Sequence, residues 1–116
     1  MSKTNPRITI RAVLSPGTAI GPGKADLLEG IDETGSIAAA GRRMGMSYKR
    51  AWYLIDTMNQ YFSEPLVAST KGGKAGGGAV LTATGKTVLA AYREAEREAS
   101  SAAEAALVKL TSLAAP

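Results

Sequence analysis

Two short helices joined at a single glycine, over Gly35 to Asn59, constrain this chain more than any other stretch. Ser36 stands where a helix cap is needed, its hydroxyl able to accept from an otherwise unpaired amide. Ala38, Ala39 and Ala40 behind it are small enough to let a second helix cross closely. Arg42, Arg43 and Met44 complete this helix, and Gly45 supplies the left-handed backbone position that a tight interhelical turn commonly needs. Met46 plugs the corner. Ser47 caps the next helix, Tyr48 to about Phe62, in which Ala51, Leu54, Ile55, Met58 and Phe62 recur on one face at the helical period. The opposite face carries Lys49, Tyr53, Asp56 and Gln60. Arg50 and Thr57 lie on one flank of it, and Tyr48, Trp52 and Asn59 on the other. The pattern predicts a helix-turn-helix.

A helix that enters a DNA major groove N-terminus first needs this distribution, because its first turn meets base edges while its amide ends and cations meet phosphates. An ordinary helical hairpin with a solvated basic edge is the competing reading of the same residues. Charge placement bears on the choice. The chain has 14 basic and 10 acidic residues, a formal net charge of +4. Between Gly35 and Ala79 the bases Arg42, Arg43, Lys49, Arg50, Lys71 and Lys74 face only Asp56 and Glu64, so this segment holds the whole excess. An anionic partner suits such a segment. The chain has no cysteine and no histidine, which removes thiol nucleophiles, imidazole bases and the usual zinc and haem ligands. No catalytic residue, metal or cofactor is expected, and the chain does not read as an enzyme. Met1 to Pro6 lacks the apolar run of a signal peptide and no stretch reaches membrane-spanning length, so a cytoplasmic protein is expected.

The flanking segments fill in a single domain over 1–116. Ile8 to Leu14 is rich in β-branched residues and reads as a strand, with its best pairing partners far downstream. Pro22 suits the first position of a helix that turns Leu27, Leu28 and Ile31 inward. Asp26, Glu29, Asp32 and Glu33 make that helix acidic, which argues that it lies away from nucleic acid. After Pro65, Leu66–Thr70 and Ala79–Thr82 read as two strands around a basic, glycine-rich loop, forming a hairpin wing in which Lys71 and Lys74 could meet phosphate or the minor groove. A flexible hairpin tip is the plainer reading of those glycines. Gly85-Lys86-Thr87 resembles the tail of a phosphate-binding loop, but that motif requires glycine where Val80 stands.

Thr82 to about Leu113 is crowded with alanine and glutamate and reads as one long helix capped by Thr82. Val88, Leu89, Tyr92, Ala95, Ala99, Ala102, Ala103, Ala106, Leu107 and Leu110 form its apolar stripe. The stripe outlasts what a small winged domain can cover, so dimerisation through it is expected; a helix folded back on its own domain is the alternative.

Gly35-Ser36-Ile37, Gly45-Met46-Ser47-Tyr48-Lys49, Ala51-Trp52, Met58-Asn59, Gly72-Gly73-Lys74, Gly76 to Thr82 and Gly85 together resemble the N-terminal winged-helix domain of ModE-type molybdate-dependent transcription regulators, over roughly positions 20 to 100. The resemblance implies a homodimer that binds a palindromic operator in double-stranded DNA, most simply as a repressor. Carried over by position, Ser47, Tyr48, Lys49 and Arg50 would face DNA, with Lys71 and Lys74 in the wing. The family's separate molybdate-binding domains have no counterpart in these residues, so the resemblance does not extend to molybdate binding.

The expected fold is therefore mainly α with a small antiparallel sheet (α+β): a helix-turn-helix at about 36–62, a wing at about 66–82 and a long C-terminal dimerisation helix at about 83–112. Arg42, Arg43, Lys71 and Lys74 are the expected phosphate contacts, and Lys49, Arg50 and Tyr53 the expected base readers. Two other functions fit parts of the sequence. One is an oxyanion or small-molecule sensor built on helix N-termini and the Gly72–Gly78 loop. The other is an adaptor that holds a protein partner on its long helix.

Overall fold

A computed structural model describes residues 6–70 and 78–116. The elements run β1 (Ala12–Ser15), β2 (Thr18–Ile20), α1 (Pro22–Thr34), α2 (Ile37–Arg43), α3 (Tyr48–Tyr61), β3 (Val67–Thr70), β4 (Gly78–Leu81), α4 (Ala83–Ala102) and α5 (Glu104–Ser112). No described helix is long and apolar enough to cross a membrane.

The core lies where α1, α2 and α3 meet the β3–β4 hairpin. Leu27, Leu28 and Ile31 of α1, Ala51, Ile55 and Met58 of α3, and Leu66, Val67 and Leu81 of the hairpin are all buried in one cluster. Each large aliphatic side chain taken fully from water contributes about 1.5–3 kcal/mol. The helices cross where side chains are smallest: a Cβ on Gly30 would lie 3.0 Å from the Ala40 methyl, and one on Gly41 would lie 3.2 Å from that of Ala51. Ala40, of the alanines after Ser36, thus performs the close packing expected of them, against Gly30 of α1, while Gly41 does the same against Ala51 of α3.

β3 and β4 pair antiparallel, with Val67 opposite Leu81 and Thr70 opposite Gly78. Ala79 and Leu81 turn inward while Val80 faces out, the alternation of a strand with one wet face. The hairpin is tied at both ends. The Ala79 amide donates to the Gly35 carbonyl at 3.0 Å, and the Thr82 amide donates to the Leu66 carbonyl at 2.9 Å. Thr82 caps α4 as expected, accepting from the Gly85 amide at 3.0 Å. Gly85 packs so closely that a Cβ there would lie 2.1 Å from the Leu66 carbonyl oxygen. Only glycine fits.

Two expectations are corrected. The N-terminal strand does not reach downstream for a partner: β1 pairs with β2, just past Pro16 and Gly17, with Ala12 opposite Ile20. A reversal this short lets the chain satisfy its backbone locally. The preceding residues are instead fixed by α4, whose Tyr92 hydroxyl donates to the Ile10 carbonyl at 2.7 Å. The C-terminal helix is also not continuous, because Ala103, at φ −90° and ψ 0°, separates α4 from α5. A ψ near zero opens the helical ladder, and neither proline nor glycine marks the break.

α4 is held to α1 by charge as well as by Tyr92. Arg93 reaches Asp26 at 2.8 Å, Glu29 at 2.9 Å and Glu96 at 3.0 Å. Burial opposes the guanidinium charge, but hydrogen bonds to Asp26, Glu96 and Glu29 outweigh it and raise the Arg93 pKa above the ordinary arginine value. Asp26 and Glu29 of α1 are thereby committed to structure.

Candidate nucleic-acid interface

The interface is built on the turn between α2 and α3. Ser36 Oγ accepts from the Ala39 amide at 3.0 Å, and Ser47 Oγ accepts from the Arg50 amide at 3.0 Å, so both helices begin with the caps the sequence indicates. Between them Gly45 sits at φ +68°, in the left-handed region where a side chain would be strained. The Met46 amide then donates to the Gly41 carbonyl at 3.0 Å, which closes the corner. Ala51, Ile55 and Met58 are buried, and this fixes the rotation of α3 about its axis. Its other face is consequently turned to solvent.

That face carries exposed Tyr48, Lys49, Arg50, Trp52, Tyr53 and Asp56, with Ser47 exposed at its start. The Arg50 guanidinium lies 5.8 Å from the centre of the Tyr53 ring, a cation–π arrangement that pre-orients it without using its N–H donors. Asp56 accepts from Gln60 at 2.9 Å, which occupies part of the acid that faces the same way. Tyr48 and Trp52 share a concave surface with Ser36 and Ala38 at the start of α2 and with Ser69 and Ala79 of the hairpin. The helix and the hairpin therefore open onto one side of the molecule.

Other expected contacts are placed less simply. Arg42 is exposed at the end of α2, whereas Arg43 is engaged by Glu33 of α1 in a solvent-exposed ion pair. Lys71 and Lys74 lie outside the described residues. Asn59, read from the sequence as part of the polar flank, is a structural tie instead. Its side-chain oxygen accepts from the Leu66 amide at 2.8 Å and the Val67 amide at 3.2 Å, while its nitrogen donates to the Val67 carbonyl at 3.2 Å. It fixes the hairpin to α3. No local signal separates that role from a groove contact, since either needs a polar residue at the edge of the helix.

The apolar stripe of the C-terminal helices divides in two. Val88 and Leu89 are half-buried against the core and Tyr92 is buried within the chain's own fold. Ala95, Ala99 and Ala103 are partly covered, while Ala106 and Leu110 are exposed. An apolar groove runs between β1 and α4, lined by Ala12, Leu14, Ile20, Phe62, Val88 and Ala91 among others.

Helices crossing at a left-handed glycine, the second presenting its first turn beside an antiparallel hairpin, define a winged helix-turn-helix of the α+β class. The chain belongs to the bacterial regulatory helix-turn-helix proteins of the lysR family, whose description matches residues 25–86, from α1 to the start of α4. The match is to a regulatory rather than a catalytic family, in line with the sequence reading. The chain is also similar to the molybdenum-pterin-binding protein MopB of Rhodobacter capsulatus, 49% identical over 76 residues that make up 66% of this chain and 28% of that protein. It is 46% identical to the molybdenum transport protein ModE of Azotobacter vinelandii over 86 residues, 74% of this chain and 32% of the relative. It is 44% identical to the DNA-binding transcriptional dual regulator ModE of Escherichia coli K12 over 71 residues, 61% of this chain and 27% of the relative. The chain thus spans about three tenths of the length of these curated relatives. Their names bear out the resemblance to ModE-type regulators.

Proposed function

We propose that this chain binds double-stranded DNA sequence-specifically, as a homodimer on a palindromic operator, and represses transcription in the cytoplasm. The observation that carries the reading is the start of α3: a Ser47-capped first turn with Tyr48, Lys49 and Arg50 exposed, on the side of the molecule to which the hairpin opens. Lys49, Arg50 and Tyr53 are the base readers. Arg42, Arg43, Lys71 and Lys74 set affinity through phosphates, with Arg43 exchanging Glu33 for the backbone. The naming of one relative as a DNA-binding transcriptional dual regulator supports the same role here.

The dimer draws on the open end of the C-terminal stripe, Ala106 and Leu110, on the partly covered Leu89, Ala99 and Ala103, and on the groove beside Val88 and Ala95; Tyr92 supports it from within. Two copies related by a two-fold axis present two α3 helices, so half-sites stand about one helical turn apart or a multiple of it. Selection of bound fragments from a random duplex pool tests the proposal. An inverted repeat with that spacing is the expected product; a pool that stays random overturns sequence-specific recognition.

A further inference from the structure

The hairpin borders one flank of α3, and on the other flank β1, β2 and the start of α1 bring two more cations up to the same helix. Lys24, in the first turn of α1, donates its ammonium back to the Ala19 carbonyl at 2.8 Å, which holds the side chain over β2. There it lines a small cavity together with Thr18, Tyr53 and Thr57, the last two on α3. Arg11 lies across the start of α1, its Cγ 3.8 Å from where a Cβ on Gly21 would stand. Arg50 stands on the same side of α3, its guanidinium 5.8 Å from the centre of the Tyr53 ring that lines this cavity. Burial, and then the positive fields of Arg11 and Arg50, lower the Lys24 ammonium below the ordinary lysine range, in keeping with two like charges within reach of Lys24.

Among the described residues none of the three is in an ion pair. Asp26 and Glu29 are taken by Arg93, and Glu33 by Arg43. Asp26 follows Lys24 by two residues, about 200° around the helix, and so faces the other way. Cations gathered without a counter-charge repel one another, and an anion placed among them removes that repulsion. The major groove is about 12 Å wide and a helix with its side chains is about 10–12 Å across, so a helix seated in it meets sugar-phosphate walls on both flanks. One wall falls on the hairpin side.

We infer that Arg11 and Lys24 grip backbone phosphates along the flank of α3 opposite the wing, beside the base-reading Arg50. The inference rests on the DNA-binding reading above and extends the interface to the β1–β2 hairpin and to α1, which its acids alone would place away from nucleic acid. These contacts carry no base information, so they strengthen binding to any duplex equally.

The test is the double substitution R11Q/K24Q in the full chain, assayed across a salt series on the selected duplex and on an unrelated one. The slope of log affinity against log salt should flatten by about 1–2, about one for each phosphate no longer neutralised. Affinity at moderate salt should fall on the order of tenfold on both duplexes. Arg11→Gln alone leaves the Lys24–Ala19 bond intact, so it should give part of the effect with an unchanged melting temperature. An unchanged slope in a variant that melts like the wild type overturns the inference alone, whereas a wild-type chain that binds no duplex overturns the DNA-binding reading with it. Inorganic phosphate that raises the melting temperature of the wild type but not of the variant, with the salt slope unchanged, assigns the cluster to a free oxyanion and also overturns it.

Discussion

Helices α3 and α5 both carry apolar residues at helical spacing, and the structure uses them in opposite ways. α3 buries Ala51, Ile55 and Met58 against α1, α2 and the hairpin. α5 buries nothing and leaves Val108 and Leu110 at 61% and 67% exposure, with its C-cap Leu113 at 83%. An apolar stripe becomes core only where other elements supply a surface to meet it. Around α3 three elements do so; among the described residues none buries a side chain of α5. The same contrast divides the C-terminal stripe, since Tyr92 is claimed by Ile10 and Ile20 whereas Leu110 remains open. α3 can therefore commit its polar face to a ligand because its apolar face is already satisfied. α5 has an apolar face still to cover.

The sharpest way to break this contrast is to shorten one side chain on each helix. Ile55→Ala should cost about 2–5 kcal/mol of unfolding free energy in denaturant titration, the usual range for emptying a packed site. Leu110→Ala should stay within about 0.5 kcal/mol at concentrations where the chain is monomeric, while weakening self-association in sedimentation. Equal losses in the two variants would mean that α5 packs on its own chain. Next in size, Gly85→Ala should lower stability by about 1–3 kcal/mol or more, because the added methyl meets a backbone oxygen that cannot swing aside. Arg50→Ala should cost about 1–3 kcal/mol in binding and relax preference at one base pair if the side chain reads a guanine. An equal loss on unrelated DNA would make Arg50 a phosphate contact.

The smallest effect concerns the anchor of the N-terminal strand. Tyr92→Phe should cost about 0.5–1.5 kcal/mol, the net worth of one hydrogen bond. Burial, with Glu96 beside it, raises the Tyr92 pKa above the ordinary tyrosine value. A raised folded-state pKa means stability present below the unfolded-state value and lost as pH climbs through the folded one. The wild type should therefore lose stability in the alkaline range more steeply than the Tyr92→Phe variant.

The readable and unreadable parts of the fold separate along the same line. α3 was legible because its period, its Ser47 cap and the Gly45 turn all point to one answer within 20 residues of chain. The hairpin was legible because two short apolar runs flank a glycine cluster. β2 was not, since three residues beside Pro16 and Gly17 carry no period. The break at Ala103 was not either, because nothing in an alanine-rich run distinguishes that residue from its neighbours. At the candidate site, the outward side of α3 follows from the inward one. Asn59 and Lys24 do not, because their roles depend on the Leu66 and Val67 amides and on Arg11 and Arg50, which sequence spacing does not bring near.

Trp52 is the chain's single tryptophan and is 42% exposed on the face of α3 beside the wing strands. Its emission during titration with the selected duplex reports directly on whether that face meets DNA. The expected result is a change in emission and a fall in acrylamide quenching that saturate at the stoichiometry given by the anisotropy of labelled DNA. Saturable binding by anisotropy, with Trp52 emission and quenching unchanged, would contradict the account.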